Sequence, residues 1–297
     1  MERAIIFNTV HDYNVFNNNP TLHPLVSIVD ISRADPRSGH RMTFNIFCIV
    51  LKHVKCGDIR YGNSYYDYQE GTLVFFAPGQ VIDVTNPEVY QPTGIALTFH
   101  PDLLHNTPLG KRMKEFGYFS YYTNEALHLS EREKKMILEC FDKITYELTQ
   151  SIDKHSKTLI ASNIELLLNY CTRFYDRQFI TRENVNRGVL EKFEELLTSY
   201  FAADKPQQTG LPSVAYCADA LNLSANYFGD LIKKETGRSA QEYIQNKIID
   251  VAKNKVFDNS KTINEIAFEM GFKYPQHFTR LFRQKVGVTP NEYRNAN

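Results

Sequence analysis

Five side chains near the carboxyl end have the chemistry to read a base pair. Gln276, His277, Thr279, Arg280 and Arg283 fall at helical spacing opposite Phe278, Leu281 and Phe282, so they share the polar side of one short amphipathic segment. A guanidinium can grip guanine O6 and N7 together, and a carboxamide can do the same at adenine N6 and N7. Arg280 is therefore the strongest candidate for direct base readout, and Gln276 the candidate for adenine. His277 could donate to a base or a phosphate. Thr279, Arg283 and Lys273, the last in the preceding turn, are placed for phosphate. For a solitary helix the ordinary explanation of such a face is solvation, and the context removes that explanation.

The context is a duplication. Ala218-Asp-Ala-Leu221-Asn222-Leu223, Phe228-x-x-Leu231-Ile232-Lys233 and Gly237-x-Ser239-Ala240-x-Glu242-Tyr243 return as Ala267-Phe-Glu-Met270-Gly271-Phe272, Phe278-x-x-Leu281-Phe282-Arg283 and Gly287-x-Thr289-Pro290-x-Glu292-Tyr293. Two units of helix, tight turn and helix are expected, at about 213–235 and 262–285, each presenting its second helix to a DNA groove. In the first copy Asn226 and Tyr227 hold the leading exposed positions, and Lys233 and Lys234 are available to phosphates. Gly229 would let the backbone approach DNA closely. Asp230 stands where Arg280 stands later, so the first unit is expected to position and the second to specify.

The elements that must hold these side chains are legible nearby. Thr262 and Glu265 spell a capping box, Gly271 a turn, and Pro275 a helix start that loses nothing by lacking an N–H. Between the copies, 239–257 reads as one helix with Tyr243, Ile244, Ile248, Ile249, Ala252 and Val256 inward. At about 1.5 Å per residue it spans roughly 28 Å, a rigid spacer suited to recognition helices one DNA turn apart, about 34 Å.

These residues resemble the AraC/XylS family of bacterial transcription regulators over about 189–297. The run Ile266-Ala-Phe-Glu-Met-Gly-Phe…His277-Phe-Thr-Arg-Leu-Phe-Arg…Gly287-Val-Thr-Pro-Asn-Glu-Tyr-Arg294 carries the resemblance. It implies a bipartite all-α domain of about seven helices binding double-stranded DNA, with Asn226, Tyr227, Gln276, His277 and Arg280 meeting bases. Asp230 departs from the basic residue often found at that position. The resemblance also implies an N-terminal cupin-like domain that dimerises or senses a small molecule, and contact with RNA polymerase if the protein activates. Glu70-Gly-Thr-Leu-Val-Phe-Phe-Ala-Pro-Gly79 is similar to the barrel segment of such regulators.

The amino-terminal reading is compatible. Short β-rich runs at 25–31, 44–52, 73–76 and 95–99, punctuated by Gly and Pro, suggest a small barrel or sandwich. Two amphipathic helices follow, at about 130–150, capped by Ser130 and Glu133, and 156–177. The stripe Ile160, Ile164, Leu167 and Leu168 could fill a core or pair two subunits. The expected fold class is α+β: a cupin-like β-barrel with a helical pair over 1–180, a polar boundary at 178–187, and two helix-turn-helix units joined by a linker helix over 189–297, with a loop at 204–212. Tyr61, Tyr66, Tyr68 and Phe76 are candidates for a ligand pocket in the barrel.

Composition narrows the alternatives. The 34 basic and 34 acidic side chains cancel. Residues 211–297 hold 12 Lys and Arg against 9 Asp and Glu, net +3, so DNA affinity must come from placement of charge rather than its total. Five cysteines without CxxC spacing fit thiols in a reducing compartment. No stretch has membrane-spanning length and the amino terminus lacks an export signal, so a soluble cytoplasmic protein is expected. A cupin-type enzyme with an accessory DNA-binding domain would need metal ligands, and no His-x-His pair exists. His100 with His105 and His53 with Cys56 lack a third ligand. No cofactor or metal is expected, and no enzymatic activity.

Overall fold

The computed structural model describes residues 5–52, 71–84, 88–122, 125–181, 183–203 and 205–295, without the side chains of 183–185. The chain divides into two units, residues 1–181 and 182–297.

The first unit contains β1 (Ile5–Phe7), α1 (Val10–Phe16), β2 (Val26–Asp30), β3 (Arg41–Phe44), β4 (Phe47–Lys52), β5 (Thr72–Phe76), β6 (Gln80–Asp83), β7 (Ile95–Phe99), α2 (Pro108–Arg112), β8 (Leu127–His128), α3 (Glu131–Thr149) and α4 (Ser156–Thr181). The expected strand at 44–52 is interrupted at Asn45, whose N–H bonds Phe7 O at 2.9 Å; β3 and β4 then join different sheets. One sheet has the order β1-β3-β6 and the other β2-β7-β4-β5-β8. Only β1–β3 is parallel among the described pairs. The barrel expectation becomes two sheets; among the described residues no ring of strands closes. Phe44 and Ile82 from the small sheet meet Val29, Cys48, Val50, Val74 and Phe76 from the large one in a single core.

Alternation sends the next residues to the opposite face, which is also covered. Phe75 packs on Tyr118 at 4.6 Å between ring centroids and on Tyr175 of α4 at 6.1 Å. Both faces of β5 are therefore dry, and all five of its residues are buried. The capping box of α3 forms as expected, Ser130 Oγ accepting from Glu133 N and Ser130 N donating to Glu133 Oε2. The Ile160, Ile164, Leu167 and Leu168 stripe is buried in the core of this unit, which removes it as a subunit interface. The two units divide between residues 181 and 182, inside the polar boundary expected at 178–187, and α4 runs up to that division. Gln178 is buried, accepts from His128 N at 2.8 Å and donates to Ala126 O at 3.1 Å, so its polarity serves β8 rather than a linker.

The second unit is helical: α5 (Glu183–Ala202), α6 (Lys205–Thr209), α7 (Val214–Ala220), α8 (Ala225–Thr236), α9 (Ala240–Val256), α10 (Ile263–Glu269), α11 (Pro275–Val286) and α12 (Pro290–Asn295). The loop expected at 204–212 contains α6, held by Tyr200 Oη donating to Gly210 O at 2.8 Å. Linker helix α9 buries Ile244, Ile248, Ile249, Ala252 and Val256 as expected, while Tyr243 is only half-buried. Arg294 Nε donates to Val256 O at 2.6 Å and pins its far end. Among the described residues no helix is long and apolar enough to cross a membrane.

Candidate nucleic-acid interface

The two copies share the bonds that close the turn and end the second helix. In α7–α8 the Leu223 N–H donates to Ala218 O at 2.9 Å; in α10–α11 Phe272 N–H donates to Ala267 O at 3.0 Å. Each turn needs one left-handed residue, supplied by Asn222 at φ 57° and by Gly271 at φ 87°. The small Ala218 and Ala267, both fully buried, let the second helix cross close to the first. Each second helix ends on a left-handed glycine, with Gly237 N donating to Lys233 O and Gly287 N donating to Arg283 O. Capping boxes at Ser239/Glu242 and Thr262/Glu265 start the helices after them, and Thr289 and Glu292 make the same reciprocal bonds. These bonds hold the Glu242, Glu265 and Glu292 carboxyls below the usual range, through the backbone N–H of Ser239, Thr262 and Thr289 in turn.

The aromatic residues explain why the polar faces point outward. Phe278 and Phe282 are buried, with Phe278 against Phe272 at 5.3 Å and Phe282 against Tyr293 at 5.5 Å. Rotation of α11 is thereby set, and Gln276, His277, Arg280 and Arg283 are exposed, with Thr279 half-buried. Gln276, Thr279, Arg280 and Arg283 line one open concavity. Among the described residues neither Arg280 nor Arg283 is in a salt bridge. Exposed guanidinium groups lining one concavity, neither in a salt bridge, are suited to phosphates and base edges. His277 lies outside that concavity, edge-on to the Tyr274 ring at 5.5 Å. Lys273 is exposed and borders a second groove with α6 and α10.

Three residues in the concavity escaped sequence reasoning: Asn264, Gln284 and Thr289. Asn264 sits in the first turn of α10, and that helix's position across the backbone in helix-turn-helix docking was the available signal.

The first copy differs in its surface. Asn226, Asp230, Lys233 and Lys234 are exposed as expected. Tyr227 is corrected: it is 6% exposed, and its N–H is taken by the Ser224 cap at 3.2 Å. A ring this large contributes more by burial than by exposure, so it belongs to the core and not to a base-reading face. Gly229 carries open space where a Cβ would stand.

The other expectations have separate fates. Tyr61, Tyr66 and Tyr68, and also His53 and Cys56, lie outside the described residues. Phe76 does line a cavity in the first unit. His100 and His105 both approach Asp102, at 3.3 Å and 3.7 Å. Among the described residues no three His, Cys, Asp or Glu side chains converge as metal ligands.

Residues 217–296 match the family of helix-turn-helix domains. Over 132 residues the chain is 33% identical to the uncharacterized HTH-type transcriptional regulator YobQ of Bacillus subtilis, covering 40% of this chain and 54% of YobQ. Over 270 residues it is 26% identical to the uncharacterized HTH-type transcriptional regulator YfiF of the same organism, covering 86% of this chain and 78% of YfiF. The chain thus spans about half the length of YobQ and most of YfiF. A solved transcriptional regulator with an AraC-type DNA-binding domain from Chromobacterium violaceum is 24% identical, with a TM-score of 0.31, covering 37% of this chain and 94% of that one. The carboxyl-terminal part of the chain is an AraC-type helix-turn-helix domain, and its relatives are HTH-type transcriptional regulators.

Proposed function

We propose that the chain is a sequence-specific DNA-binding transcription regulator of the AraC type. The supporting observation is the α11 face, where Gln276, Arg280 and Arg283 share an open concavity and neither guanidinium is engaged in a salt bridge among the described residues. In this reading Arg280 and Gln276 read bases, His277 and Asn226 assist, and Lys233, Lys234, Lys273, Thr279 and Arg283 hold phosphates. The first unit of the chain is the regulatory part: cupin-like, responsive to a small-molecule effector, and able to form a homodimer that places two DNA-binding domains on an operator. If the protein activates, RNA polymerase is a further partner.

Retardation of DNA fragments, followed by selection of sites from a random library, tests this. Arg280→Ala should weaken binding by ~1–3 kcal/mol and relax preference at one base position. Lys273→Ala should weaken binding evenly across sequences and reduce the salt slope by about 1. If Arg280→Ala bound every sequence as wild type does, direct readout by this helix would be wrong.

A further inference from the structure

We infer that the cavity in the first unit binds a short-chain monocarboxylate, its hydrocarbon among the apolar walls and its carboxylate on Arg37, with Thr93 as a hydrogen-bond partner. This deepens the effector part of the regulatory reading and rests on it only for its biological meaning. Side chains from both sheets enclose a cavity of about 80 Å³. Its walls include Phe16, Phe44, Phe76 and Ile82, so the body of a guest must be apolar.

The polar lining has one sign. Arg37 and Lys52 are present, and among the described residues no carboxylate lines the cavity. Arg37 is held in place twice: its guanidinium lies 4.2 Å from the Phe16 ring centroid, and Nη2 donates to Asn17 Oδ1 at 3.0 Å. The backbone of the same residue is clamped by Tyr90, with both N–H···O bonds at 3.0 Å. A guanidinium has five N–H donors, and Arg37 forms no ion pair among the described residues. Thr93 Oγ1 is buried without a hydrogen-bond partner among the described residues. A buried hydroxyl left unmatched is costly, and a bound acceptor removes the cost. Fixed cation, orphan hydroxyl and apolar walls together match an anionic head on a hydrocarbon tail. They disfavour an amine, which meets the Arg37 guanidinium, and a polyol, which needs polar groups along its whole length.

Size limits the tail. A cavity that holds benzene is about 150 Å³, roughly twice this one, which favours a slim straight chain over a ring and leaves the chain length to be read from a series of homologues. Carboxylate suits the head because it takes two parallel bonds from a guanidinium.

The test is calorimetric titration of the full chain, without DNA, using pentanoate, pentanamide and 1-pentanol. Pentanoate should bind at least about tenfold tighter than the two neutral analogues. Arg37→Met, which keeps a stem over Phe16, should lose about tenfold or more. Thr93→Val should lose about threefold to tenfold, with the unliganded protein no less stable. Pentanamide binding as well as pentanoate would overturn the inference, as would full affinity in Arg37→Met. So would absence of binding for every straight-chain carboxylate from propanoate to heptanoate. If Arg37→Met does not fold, the comparison of pentanoate with pentanamide on wild type still decides. Because no DNA is present, failure here leaves the DNA-binding reading standing, and failure to bind DNA leaves this one standing.

Discussion

The two helix-turn-helix units share a backbone plan and differ in what they put on its surface. Helix α11 presents Gln276, Arg280 and Arg283; at the same positions α8 presents Asn226, Asp230 and Lys233. The position after Asn226 and Gln276 shows the divergence best. His277 is exposed there in the second unit, and Tyr227 is buried in the first. Duplication preserves the residues that fold the motif, namely small Ala, left-handed turn residue, aromatic or aliphatic core and glycine cap. It leaves the outward positions free to change. A unit can keep its fold and lose its reading function, which makes equivalent substitutions in the two copies the informative experiments.

The largest contrast is at the turn. A Cβ on Gly271 would meet Pro206 O at 2.7 Å and Gly210 C at 2.8 Å, because α6 and its following residue pack onto this turn. Left-handed strain of ~1–2 kcal/mol adds to overpacking of ~1–3 kcal/mol. Gly271→Ala should therefore destabilise the second unit by about 2–5 kcal/mol, read as a fall in the urea midpoint. Its counterpart Asn222→Ala already has its Cβ accommodated and should cost about 1 kcal/mol. Equal losses would mean that the clamp by α6 does not distinguish the copies.

Charge comes next. Asp230→Arg makes the first helix resemble the second and should strengthen DNA binding evenly across sequences, steepening the salt slope by about 1. Arg280→Asp should abolish selectivity. If Asp230→Arg instead weakened binding, the first unit would be using Asp230 as an acceptor, for which cytosine N4 is the available donor.

Gly229 separates stability from binding. A Cβ there meets nothing in the protein, so Gly229→Ala should stabilise α8 by up to ~1 kcal/mol. If the α8 backbone approaches DNA closely, the same substitution weakens binding while raising the melting temperature. Unchanged affinity would place α8 farther from the duplex.

The smallest effect is with pH. Glu242, Glu265 and Glu292 bind protons more weakly folded than unfolded, since backbone N–H groups favour their charged forms. Their contribution is complete above the ordinary glutamate value, about 4.3, and is lost as pH falls through their lower folded values. Stability of the domain should be flat from about pH 7 to 5 and decline below that. Glu265→Gln with Glu292→Gln should shallow the acid limb of a melting-temperature profile.

Much of this was legible before any coordinates. The strand at 95–99, the cap at Ser130, both helix-turn-helix spans and the linker helix follow from local rules: a period of two or 3.6, a capping residue, a glycine stop. The exposed positions of α11 were legible because Phe278, Leu281 and Phe282 fix the helix rotation by themselves. Tyr227 was not, because an amphipathic ring at the margin of a stripe can turn either way. At Gln178 the polar boundary was legible, but not that a strand fifty residues away needed its carboxamide.

The sequence alone determined the duplicated motif and the side chains it carries, since those depend on neighbours within one or two turns of helix. Only the tertiary structure decided that Tyr227 and Gln178 are buried, that Gly271 is clamped by α6, that the 160–168 stripe is core, and that Arg37 and Thr93 share a cavity lining. Those outcomes depend on contacts between segments tens of residues apart, where burial and close packing, rather than local propensity, set the free energy.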